Sequence, residues 1–307
     1  MSSLSATKGM GSDVLVTGAT GFVGRRLMAV LGNKAAALSM RSDRSSWTAA
    51  LQGKQCVVHL AARVHLMRDT AVDPMAEYRK VNVDHTLALA RLAHAAGVRR
   101  FIFLSSVKVN GEQTEVGKPF GADDIPAPQD DYGISKLEAE TGLLAIAKET
   151  GLEVVIIRPP LVYGPGVKAN FAALMRAVAR RWPLPLASVR NHRSLVALDN
   201  LVDFIVTCID HPQAANEIFL VSDGNDLSTP DLIRGLARAQ GVAPRIFPFP
   251  VKVLQAMAAI VGKRAAVERL CGNLQVDISK ARNLLQWTPP VSVEEGLRRA
   301  AGDTSHL

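Results

Sequence analysis

The sequence is poor in cysteine and in aromatic side chains, and it has no long apolar run. Its three cysteines, at positions 56, 208 and 271, are too few and too scattered for a disulfide framework or a zinc site. We therefore expect no metal, and a reducing, cytoplasmic setting. No apolar stretch reaches the roughly 18 residues that a membrane span needs, because the best candidate, residues 251–261, is short and contains Lys252.

Acidic side chains are missing from one long stretch of the chain. Lysine and arginine number 36 against 28 aspartate and glutamate, a formal net charge of +8. No acid occurs between Val154 and Leu198, and this stretch holds seven basic residues: Arg158, Lys168, Arg176, Arg180, Arg181, Arg190 and Arg193. It is either a solvated basic face or a pocket for one anionic ligand. The net charge also suggests a nucleic-acid partner, but the motifs described below point to a small anionic ligand, and with them we expect no nucleic-acid partner.

The 307 residues, 48% hydrophobic and 21% charged, fit a globular protein of about two domains. In the first half, short β-branched runs alternate with segments of helical period. This alternation predicts a parallel, doubly wound α/β sheet with helices on both faces. The predicted strands are residues 13–17, 35–39, 56–60, 101–104 and 154–157, and the predicted helices are residues 25–31, 74–96 and 132–149.

Three glycines lie between the first predicted strand and the first helix, as Gly18-x-x-Gly21-x-x-Gly24. In a dinucleotide-binding turn, one glycine makes the tight turn, one lets the backbone approach a pyrophosphate, and one lets the helix pack on the strand. The helix N-terminus then supplies amides and partial positive charge to the phosphates. We predict NAD(P) binding on a Rossmann-type sheet, and the alternative is an ordinary glycine-rich turn.

The same patterns divide the chain into a leader and two domains. Residues 1–12 are small and polar and are predicted to form a disordered leader. Residues 13–165 form the predicted Rossmann domain, to which residues 191–212 return. Residues 166–190 and 213–307 form a smaller C-terminal α/β domain for substrate binding. Helix candidates after residue 165 are 170–181, 200–210, 230–240, 251–261 and 293–301, with one strand at 217–221.

The second strand ends without the acidic residue that normally binds the ribose 2′-hydroxyl of NAD. In its place, the run Ser39-Met-Arg-Ser-Asp-Arg44 supplies Arg41 and Arg44. A guanidinium group can bind a 2′-phosphate, so we predict NADP(H) in preference to NAD(H). The alternative is that both arginines only face solvent.

Tyr132 and Lys136 stand one helical turn apart at the start of a predicted helix. A neighbouring ammonium group favours phenolate and lowers the pKa of a tyrosine. Such a pair suits proton transfer to or from an alcohol oxygen while hydride moves. Ser106 follows the preceding strand and is predicted to hydrogen-bond the substrate oxygen, whereas Ser105 is predicted to satisfy a backbone group.

These motifs resemble the extended short-chain dehydrogenase/reductase superfamily, and within it the NAD-dependent epimerase/dehydratase family that acts on nucleotide sugars. The resemblance spans nearly the whole chain, from the glycine turn to the run Trp287-Thr-Pro-Pro-Val-Ser-Val-Glu-Glu-Gly-Leu297. Between them lie His59-Leu-Ala-Ala62, Asn82-Val-Asp84, Ser105-Ser106, the Tyr132–Lys136 pair and Arg158-Pro-Pro-Leu-Val-Tyr-Gly-Pro165.

The resemblance implies a role for each matching residue. Tyr132 is the acid–base group, Lys136 orients it and binds the nicotinamide ribose, and Ser106 assists. Asn170 and Arg193 match positions that contact the nucleotide diphosphate. The implied cofactor residues are Gly18, Thr20, Gly21, Phe22, Val23, Gly24, Arg41, Leu60, Ala61, Ala62, Asn82, Tyr132, Lys136 and Pro159.

Two departures from the family pattern matter. The 4,6-dehydratases of the family carry a Thr-Asp-Glu run where this chain has Ser106-Val107-Lys108, so we exclude a dehydratase. Lys108 either contacts a phosphate or sugar oxygen of the substrate or is a solvated lysine. The third strand begins at Gln55-Cys56, without the aspartate that usually lies near adenine.

Three functions remain. The first, favoured by Arg41 and the missing dehydratase acids, is an NADPH-dependent 4-ketoreductase of a UDP-linked 4-keto-6-deoxy (N-acetyl)hexose in surface-polysaccharide synthesis. The second is a UDP-glucose or UDP-N-acetylglucosamine 4-epimerase with tightly bound NAD. The third is a regulatory or RNA-binding protein without turnover, which the complete set of Ser106, Tyr132 and Lys136 argues against. The resemblance also implies a homodimer built on the Tyr132 helix.

Overall fold

A computed structural model describes residues 12–64, 73–260 and 264–302. The leader expected at residues 1–12 lies outside this part of the chain, apart from Ser12. Lys54 Nζ donates to the carbonyl oxygen of Ser12 at 2.5 Å and to its hydroxyl oxygen at 2.6 Å. Ser12, the first described residue, is thus held against the segment that precedes the third predicted strand.

The described residues form one large and one small sheet. The strands are β1 (Val14–Thr17), β2 (Ala35–Leu38), β3 (Cys56–His59), β4 (Arg100–Leu104), β5 (Glu153–Arg158), β6 (Leu161–Tyr163), β7 (Leu195–Ala197) and β8 (Ile218–Leu220). Six of them make a parallel sheet in the order β2-β1-β3-β4-β5-β8. The predicted doubly wound α/β fold is confirmed. The order reverses between β1 and β3, and ligands bind at the carboxyl ends of strands at such a reversal.

Helices cover both faces of the large sheet and make up much of the remaining described chain. They are α1 (Phe22–Leu31), α2 (Arg44–Leu51), α3 (Pro74–Tyr78), α4 (His85–Ala95), α5 (Asp131–Thr150), α6 (Ala169–Ala179), α7 (Leu198–Asp210), α8 (Thr229–Ala239), α9 (Val251–Ile260), α10 (Arg264–Cys271), α11 (Ser279–Leu285) and α12 (Val293–Gly302). Within the described ranges, no helix combines the length and the apolar character needed to cross a bilayer.

The large sheet is buried on both faces because successive side chains of a strand point to opposite sides. Val14 and Val16 pack into one apolar cluster with α7 and α11. Leu15, between them, packs into a second cluster with α2, α4 and α5. Strands covered on both faces read as continuous apolar runs, which is why β1, β3 and β5 were visible in the sequence.

A smaller unit follows β5. Strands β6 and β7 pair in parallel, with Leu161 opposite Leu195, and a third apolar cluster joins Tyr163 to α6, α8 and α12. The predicted helices of this region lie within two residues of the observed ones. Strands β6 and β7 and helices α10 and α11 were not predicted, because elements this short carry too little periodicity.

Two features of the chain's path differ from the sequence interpretation. Strand β8 pairs with β5 in the large sheet, and the division into domains, with its boundary at residue 213, stays a prediction. The helix expected over residues 74–96 is interrupted by a turn of π-helix at Arg79–Asp84. Such turns frequently mark functional positions, and this one buries Asn82.

Candidate active site

The glycine turn joins β1 to α1 so closely that two of its glycines have no room for a side chain. Gly18 has a φ of +68°, and a Cβ atom there would lie 2.7 Å from the backbone nitrogen of Ala61. A Cβ atom at Gly24 would lie 2.1 Å from the carbonyl oxygen of Gly18. The first glycine thus lets the turn approach the loop after β3, and Gly24 lets α1 pack directly on the turn.

The N-terminus of α1 is open to an anion. Gly21 is its N-cap and supplies no side-chain hydrogen bond, and the first turn contains no acidic residue. Thr20 and Gly21 are exposed, while Phe22 and Val23 pack partly into the core. Uncapped amides and the helix dipole favour a phosphate group at this position. The residues present therefore fit the diphosphate of a dinucleotide.

The loop after β3, residues 60–62, lies beside the turn and is partly exposed. Asn82 anchors it, because its Oδ1 accepts a hydrogen bond from Arg63 N at 2.8 Å and its Nδ2 donates to Arg63 O at 3.0 Å. The same Nδ2 donates to Ser135 Oγ at 3.0 Å. One buried amide side chain thus ties the cofactor-side loop to helix α5.

Arg41 lies in the loop after β2 and is exposed. Among the described residues its guanidinium group has no hydrogen bond or ion pair, and only its backbone nitrogen bonds, to Ser39 Oγ at 3.3 Å. The one acid nearby, Asp43, accepts a hydrogen bond from Ser46 N at 2.8 Å as the N-cap of α2. Arg44 begins that helix. An unpaired guanidinium group at this place suits a phosphate.

Tyr132 and Lys136 lie in the first turns of α5. Asp130 caps this helix by accepting a 2.7 Å hydrogen bond from Gly133 N. The Lys136 ammonium group donates to Leu104 O at 2.8 Å and lies 5.9 Å from the centroid of the Tyr132 ring. Helix α5 therefore holds the pair against the carboxyl end of β4, where Ser106 follows.

The two serines after β4 have different environments. Ser105 is buried, and its hydroxyl donates to the Glu140 carboxylate. Ser106 is partly exposed, and its Oγ accepts a hydrogen bond from Lys108 N at 3.3 Å. The backbone just after it is held by a 3.0 Å hydrogen bond from Val107 N to Pro159 O. Of the two, Ser106 has the hydroxyl that a ligand in the cleft could reach.

Burial controls the protonation of the Tyr132–Lys136 pair. Burial raises the pKa of Tyr132 above its ordinary value, and the neighbouring Asp130 and Tyr78 raise it further. Burial also lowers the pKa of Lys136 to about 7, against the opposing effect of Glu140. The expectation that Lys136 depresses the pKa of Tyr132 is wrong here, because the ammonium group is directed at Leu104 O. At neutral pH, Tyr132 is a neutral phenol and can donate a proton.

The lowered pKa of Lys136 predicts a pH dependence. We expect kcat/KM to be level below about pH 7 and to fall about tenfold per pH unit above it, because loss of one proton removes the ammonium charge. Initial rates from about pH 5 to about pH 9 measure this profile. In Lys136→Arg, whose guanidinium group stays charged, the break should disappear. A wild-type profile with no break near pH 7 would contradict the assignment.

Lys108 is engaged by two carboxylates. Its ammonium group forms ion pairs with Asp130 and, at 2.7 Å, with Glu112. Since Asp130 is also the N-cap of α5, this charge supports the start of the helix that carries Tyr132. The two roles expected from the sequence, substrate contact and a solvated lysine, stay predictions, and the protein itself supplies two carboxylate partners.

Arg193 lies beside a second arginine. Its Nη1 donates to Gly272 O at 3.1 Å. Burial lowers the pKa of Arg193, the positive charge of Arg269 lowers it further, and Glu112 opposes both. Two guanidinium groups near enough for their charges to interact fit a dianionic ligand such as a diphosphate. Sequence analysis missed Arg269, because no pattern links α10 to the segment before β7.

No described side-chain contact links Asn170 to Arg193 or Arg269. It is exposed in the first turn of α6, and within the part of the chain that the structure describes its side chain makes no hydrogen bond. A cavity of about 870 Å³ also lies away from the predicted residues, between α8 and α12, and is lined by Arg234, Arg238 and Arg298 among others. The candidate site is therefore identified by its reactive side chains and not by the size of this cavity.

Comparison with known proteins identifies the family. The family model described as "NAD dependent epimerase/dehydratase family" matches residues 14–222. A Vibrio cholerae protein named UDP-glucose 4-epimerase is 47% identical over 312 residues, 95% of each chain. A Pseudomonas aeruginosa protein named GDP-6-deoxy-D-mannose reductase is 25% identical over 315 residues, 96% of this chain and 97% of the other.

A solved structure has the same fold. The crystal structure of UDP-glucose 4-epimerase from Thermotoga maritima with UDP-glucose superposes with a TM-score of 0.75 at 24% identity, covering 95% of this chain and 98% of that chain. The family match includes the glycine turn, the loop after β3 and the Tyr132–Lys136 pair. The protein is thus an NAD(P)-dependent enzyme, and the chain belongs to the NAD-dependent epimerase/dehydratase family, as its sequence predicted.

Proposed function

We propose that the enzyme reduces the 4-keto group of a UDP-linked 4-keto-6-deoxy (N-acetyl)hexose and uses NADPH as its cofactor. The observation that carries the proposal is the group formed by Ser106, Tyr132 and Lys136 at the end of β4. In this group, burial keeps Tyr132 protonated at neutral pH. A protonated phenol is the form that a ketone reduction requires, because the carbonyl oxygen must gain a proton.

Each side chain has a separate task in this reaction. The cofactor, when bound, supplies hydride to the carbonyl carbon. Tyr132 donates its phenolic proton to the carbonyl oxygen, and Ser106 hydrogen-bonds the same oxygen and orients it. Lys136, held at the carboxyl end of β4 by its hydrogen bond to Leu104 O, binds the nicotinamide ribose.

The residues after β4 argue against elimination of water. Dehydration of a sugar needs an acid and a base placed on the substrate, and the resembling dehydratases have a Thr-Asp-Glu run at this place. This chain has Ser106, Val107 and Lys108, and the lysine is held by Asp130 and Glu112. We therefore propose a substrate that arrives already as a ketone.

The nucleotide end of the substrate is proposed to bind at Arg193 and Arg269, while the predicted contact from Asn170 stays a prediction. Planar guanidinium groups can each donate two parallel hydrogen bonds to phosphate oxygens. The names of the Vibrio and Thermotoga relatives support a UDP-linked sugar. The acid-free run that ends at Leu198 would then place Arg193 next to the one dianionic group of the substrate.

A 4-epimerase of UDP-sugars is the second candidate. It is favoured by the 47% identity to the Vibrio cholerae protein over 95% of both chains. In such an enzyme, a 4-keto sugar would rotate within the site and present first one face and then the other to the same three side chains. The cofactor would stay bound between turnovers.

Purified protein distinguishes the two candidates. The proposed reductase should oxidise NADPH only when a UDP-linked 4-keto-6-deoxysugar is supplied, and it should not interconvert UDP-glucose and UDP-galactose. Both products can be followed by anion-exchange chromatography, together with absorbance of the reduced nicotinamide. Interconversion without added cofactor, with NAD released when the protein is denatured, would exclude the reductase and establish the epimerase.

Cofactor preference is predicted to depend on Arg41. Arg41→Asp should lower the ratio of kcat/KM for NADPH to that for NADH by about 10- to 100-fold, because a hydrogen bond to a charged group contributes about 1.5–3 kcal/mol. Initial rates with each cofactor measure the ratio. Lys34→Asp, at an exposed position before β2, makes the same charge change and should leave the ratio unaltered. An unchanged ratio in Arg41→Asp would mean that Arg41 only faces solvent.

Several expectations from the sequence stay predictions. These are the cytoplasmic setting, the lack of a metal or nucleic-acid partner, and the homodimer. Helix α5 exposes Leu144 on its outer side, so a dimer built on this helix would cover that side chain. Light scattering of wild type and Leu144→Glu tests the homodimer, which should dissociate in the variant.

A further inference from the structure

The chain has a second acid-free stretch, which the active site does not explain. No aspartate or glutamate occurs from residue 232 to residue 267, just as none occurs from Val154 to Leu198. The basic residues of the second stretch are Arg234, Arg238, Arg245, Lys252, Lys263 and Arg264. Only part of this charge can serve one diphosphate, so the rest needs another explanation.

The fold brings the two acid-free stretches together. Leu184 pairs with Ile246 in a parallel bridge. Leu184 N donates to Arg245 O at 2.8 Å, and Phe247 N donates to Leu184 O at 3.1 Å. Two exposed aromatic side chains, Trp182 and Phe247, flank this pairing. Positive charge and aromatic surface from distant parts of the chain thus meet in one region.

Helix α9, which begins just after this pairing, has an outward apolar stripe. Its residues Val251 and Leu254 pack against the same apolar cluster as Leu184 and Ile246. The stripe on its outer side consists of Val253, Met257 and Ile260, which follow helical spacing and are 46%, 54% and 85% exposed. Burying this stripe would remove apolar surface from water, which favours a partner. We name Trp182, Phe247, Val253, Met257 and Ile260 the docking face.

Close in sequence to Trp182, Phe247 and Val253 stands a set of basic residues that we name the charged border of the docking face. Within the described residues, none of the flanking basic side chains forms an ion pair, although Arg180 lies over the Trp182 ring at 6.0 Å from its centroid. These basic residues are Arg176, Arg180, Arg181, Arg245 and Lys252, and all of them are exposed. An apolar stripe with unneutralised charge at its edge is complementary to a surface that is apolar inside and anionic outside.

We propose that the docking face binds the surface of an anionic lipid bilayer. Val253, Met257 and Ile260 would enter the boundary between headgroups and acyl chains, as the apolar side of an interfacial helix does. Tryptophan and phenylalanine are suited to the headgroup level. Arginine and lysine side chains extend along apolar surface and keep their charges at the phosphates.

Two other occupants fit less well. A second copy of the chain, related by a two-fold axis, would bring the positive border of one face against the same border of the other. A nucleic acid would meet the charges and the rings of Trp182 and Phe247, but it would leave the aliphatic stripe of Val253, Met257 and Ile260 exposed to water. The lipid surface alone satisfies both the stripe and its charged border.

The inference does not rest on the proposed function, but its location has a consequence for the site. Helix α9 packs against α10, and α10 carries Arg269, the neighbour of Arg193. Docking would therefore hold the proposed diphosphate-binding end of the cleft close to the membrane surface.

Vesicle sedimentation tests the apolar stripe. Wild type is expected to sediment with vesicles of phosphatidylglycerol and phosphatidylcholine and to stay in solution with phosphatidylcholine alone. Met257→Glu/Ile260→Glu should lose this sedimentation. The control Val116→Glu/Ile125→Glu changes two side chains that are 76% and 90% exposed elsewhere and should bind as wild type does. Equal circular-dichroism melting curves show that both variants are folded.

The charged border is tested separately. Arg180→Ala/Arg245→Ala removes one cation from each acid-free stretch and should lower the partition coefficient on anionic vesicles by about thirtyfold, since each surface cation contributes about 1 kcal/mol. Lys34→Ala/Lys148→Ala, at exposed positions of the other domain, should leave it unchanged.

Four results would overturn the proposal. The first is wild type that stays in solution with anionic vesicles, and the second is vesicle binding that survives Met257→Glu/Ile260→Glu. The third is a change of oligomeric state in that variant without vesicle binding by wild type, which would make the face an interface between copies. The fourth is binding of a single-stranded oligonucleotide, in place of vesicles, that Arg180→Ala/Arg245→Ala abolishes.

Discussion

Replacing Tyr132 with phenylalanine is expected to lower kcat for ketone reduction by about 10²- to 10⁴-fold, the usual contribution of a positioned general acid. The change removes only the phenolic hydroxyl group, which burial keeps protonated at neutral pH. The ring should stay in place, with its centroid 6.3 Å from that of Tyr78 in an edge-on contact. Because Lys136 and the glycine turn are unchanged, NADPH affinity should change little, as measured by nucleotide fluorescence titration.

Tyr78→Phe is the matched control for this prediction. It removes the same atom from the neighbouring ring, whose hydroxyl donates to Val64 O at 3.4 Å, and the rate should stay within a few-fold of wild type. Near-normal turnover in Tyr132→Phe would end its assignment as the proton donor. Equal losses in the two variants would show that packing of the rings, and not proton transfer, limits the rate.

The second large effect is expected at a buried ion pair beneath the site. Arg158 donates to the Glu140 carboxylate from Nε at 3.1 Å and from Nη2 at 2.5 Å, and both side chains are almost fully buried. Ser105 donates to the same carboxylate, and Asn110 Oδ1 accepts from Arg158 Nη1 at 3.1 Å. We expect Glu140→Leu to lower the free energy of unfolding by about 3–5 kcal/mol, because it leaves a guanidinium charge uncompensated away from water.

Denaturant unfolding measures this loss, and two variants control it. Glu140→Leu/Arg158→Met removes both charges and should be more stable than the single variant. Glu115→Leu breaks an ion pair with Lys118 in which both side chains are about three-quarters exposed, and it should cost no more than about 1 kcal/mol. An unfolding midpoint of Glu140→Leu equal to that of wild type would show that the buried pair does not stabilise the fold.

The buried pair also positions the reacting groups. Glu140 lies one helical turn beyond Lys136 on α5, Ser105 directly precedes Ser106, and Arg158 ends β5. One carboxylate therefore connects three elements that meet at the cleft. Glu140→Gln keeps the shape of the side chain but removes its charge. If the three elements shift as a result, kcat should fall by a larger factor than the affinity for NADPH.

Much of the fold could be predicted from the sequence, because its evidence is local. A buried parallel strand is a continuous apolar run, and this is why β5 was found within two residues. The glycine turn was recognisable from spacing alone, and the close contacts at Gly18 and Gly24 supply the reason for that spacing. The pairing of Tyr132 with Lys136 needs only the helical repeat.

The remainder could not be predicted, because it depends on the packing of segments that are distant in the chain. Strands β6 and β7 are three residues long and acquire their identity only by pairing with each other. The pKa of Tyr132 was expected to fall, but burial raises it, and burial is a property of everything packed around the ring. The sequence leaves Lys108 between a substrate contact and a solvated lysine, and only the tertiary structure brings it to its carboxylate partners, Asp130 and Glu112.

The sequence alone therefore specifies the parallel sheet, the glycine turn, the family and the spacing of Tyr132 and Lys136, since each arises from neighbours within one or two turns or strands. Tertiary structure alone places Arg269 beside Arg193 and joins the two acid-free stretches at Leu184 and Ile246. Charge and apolar surface act through space, so their effect depends on which distant residues the fold brings together.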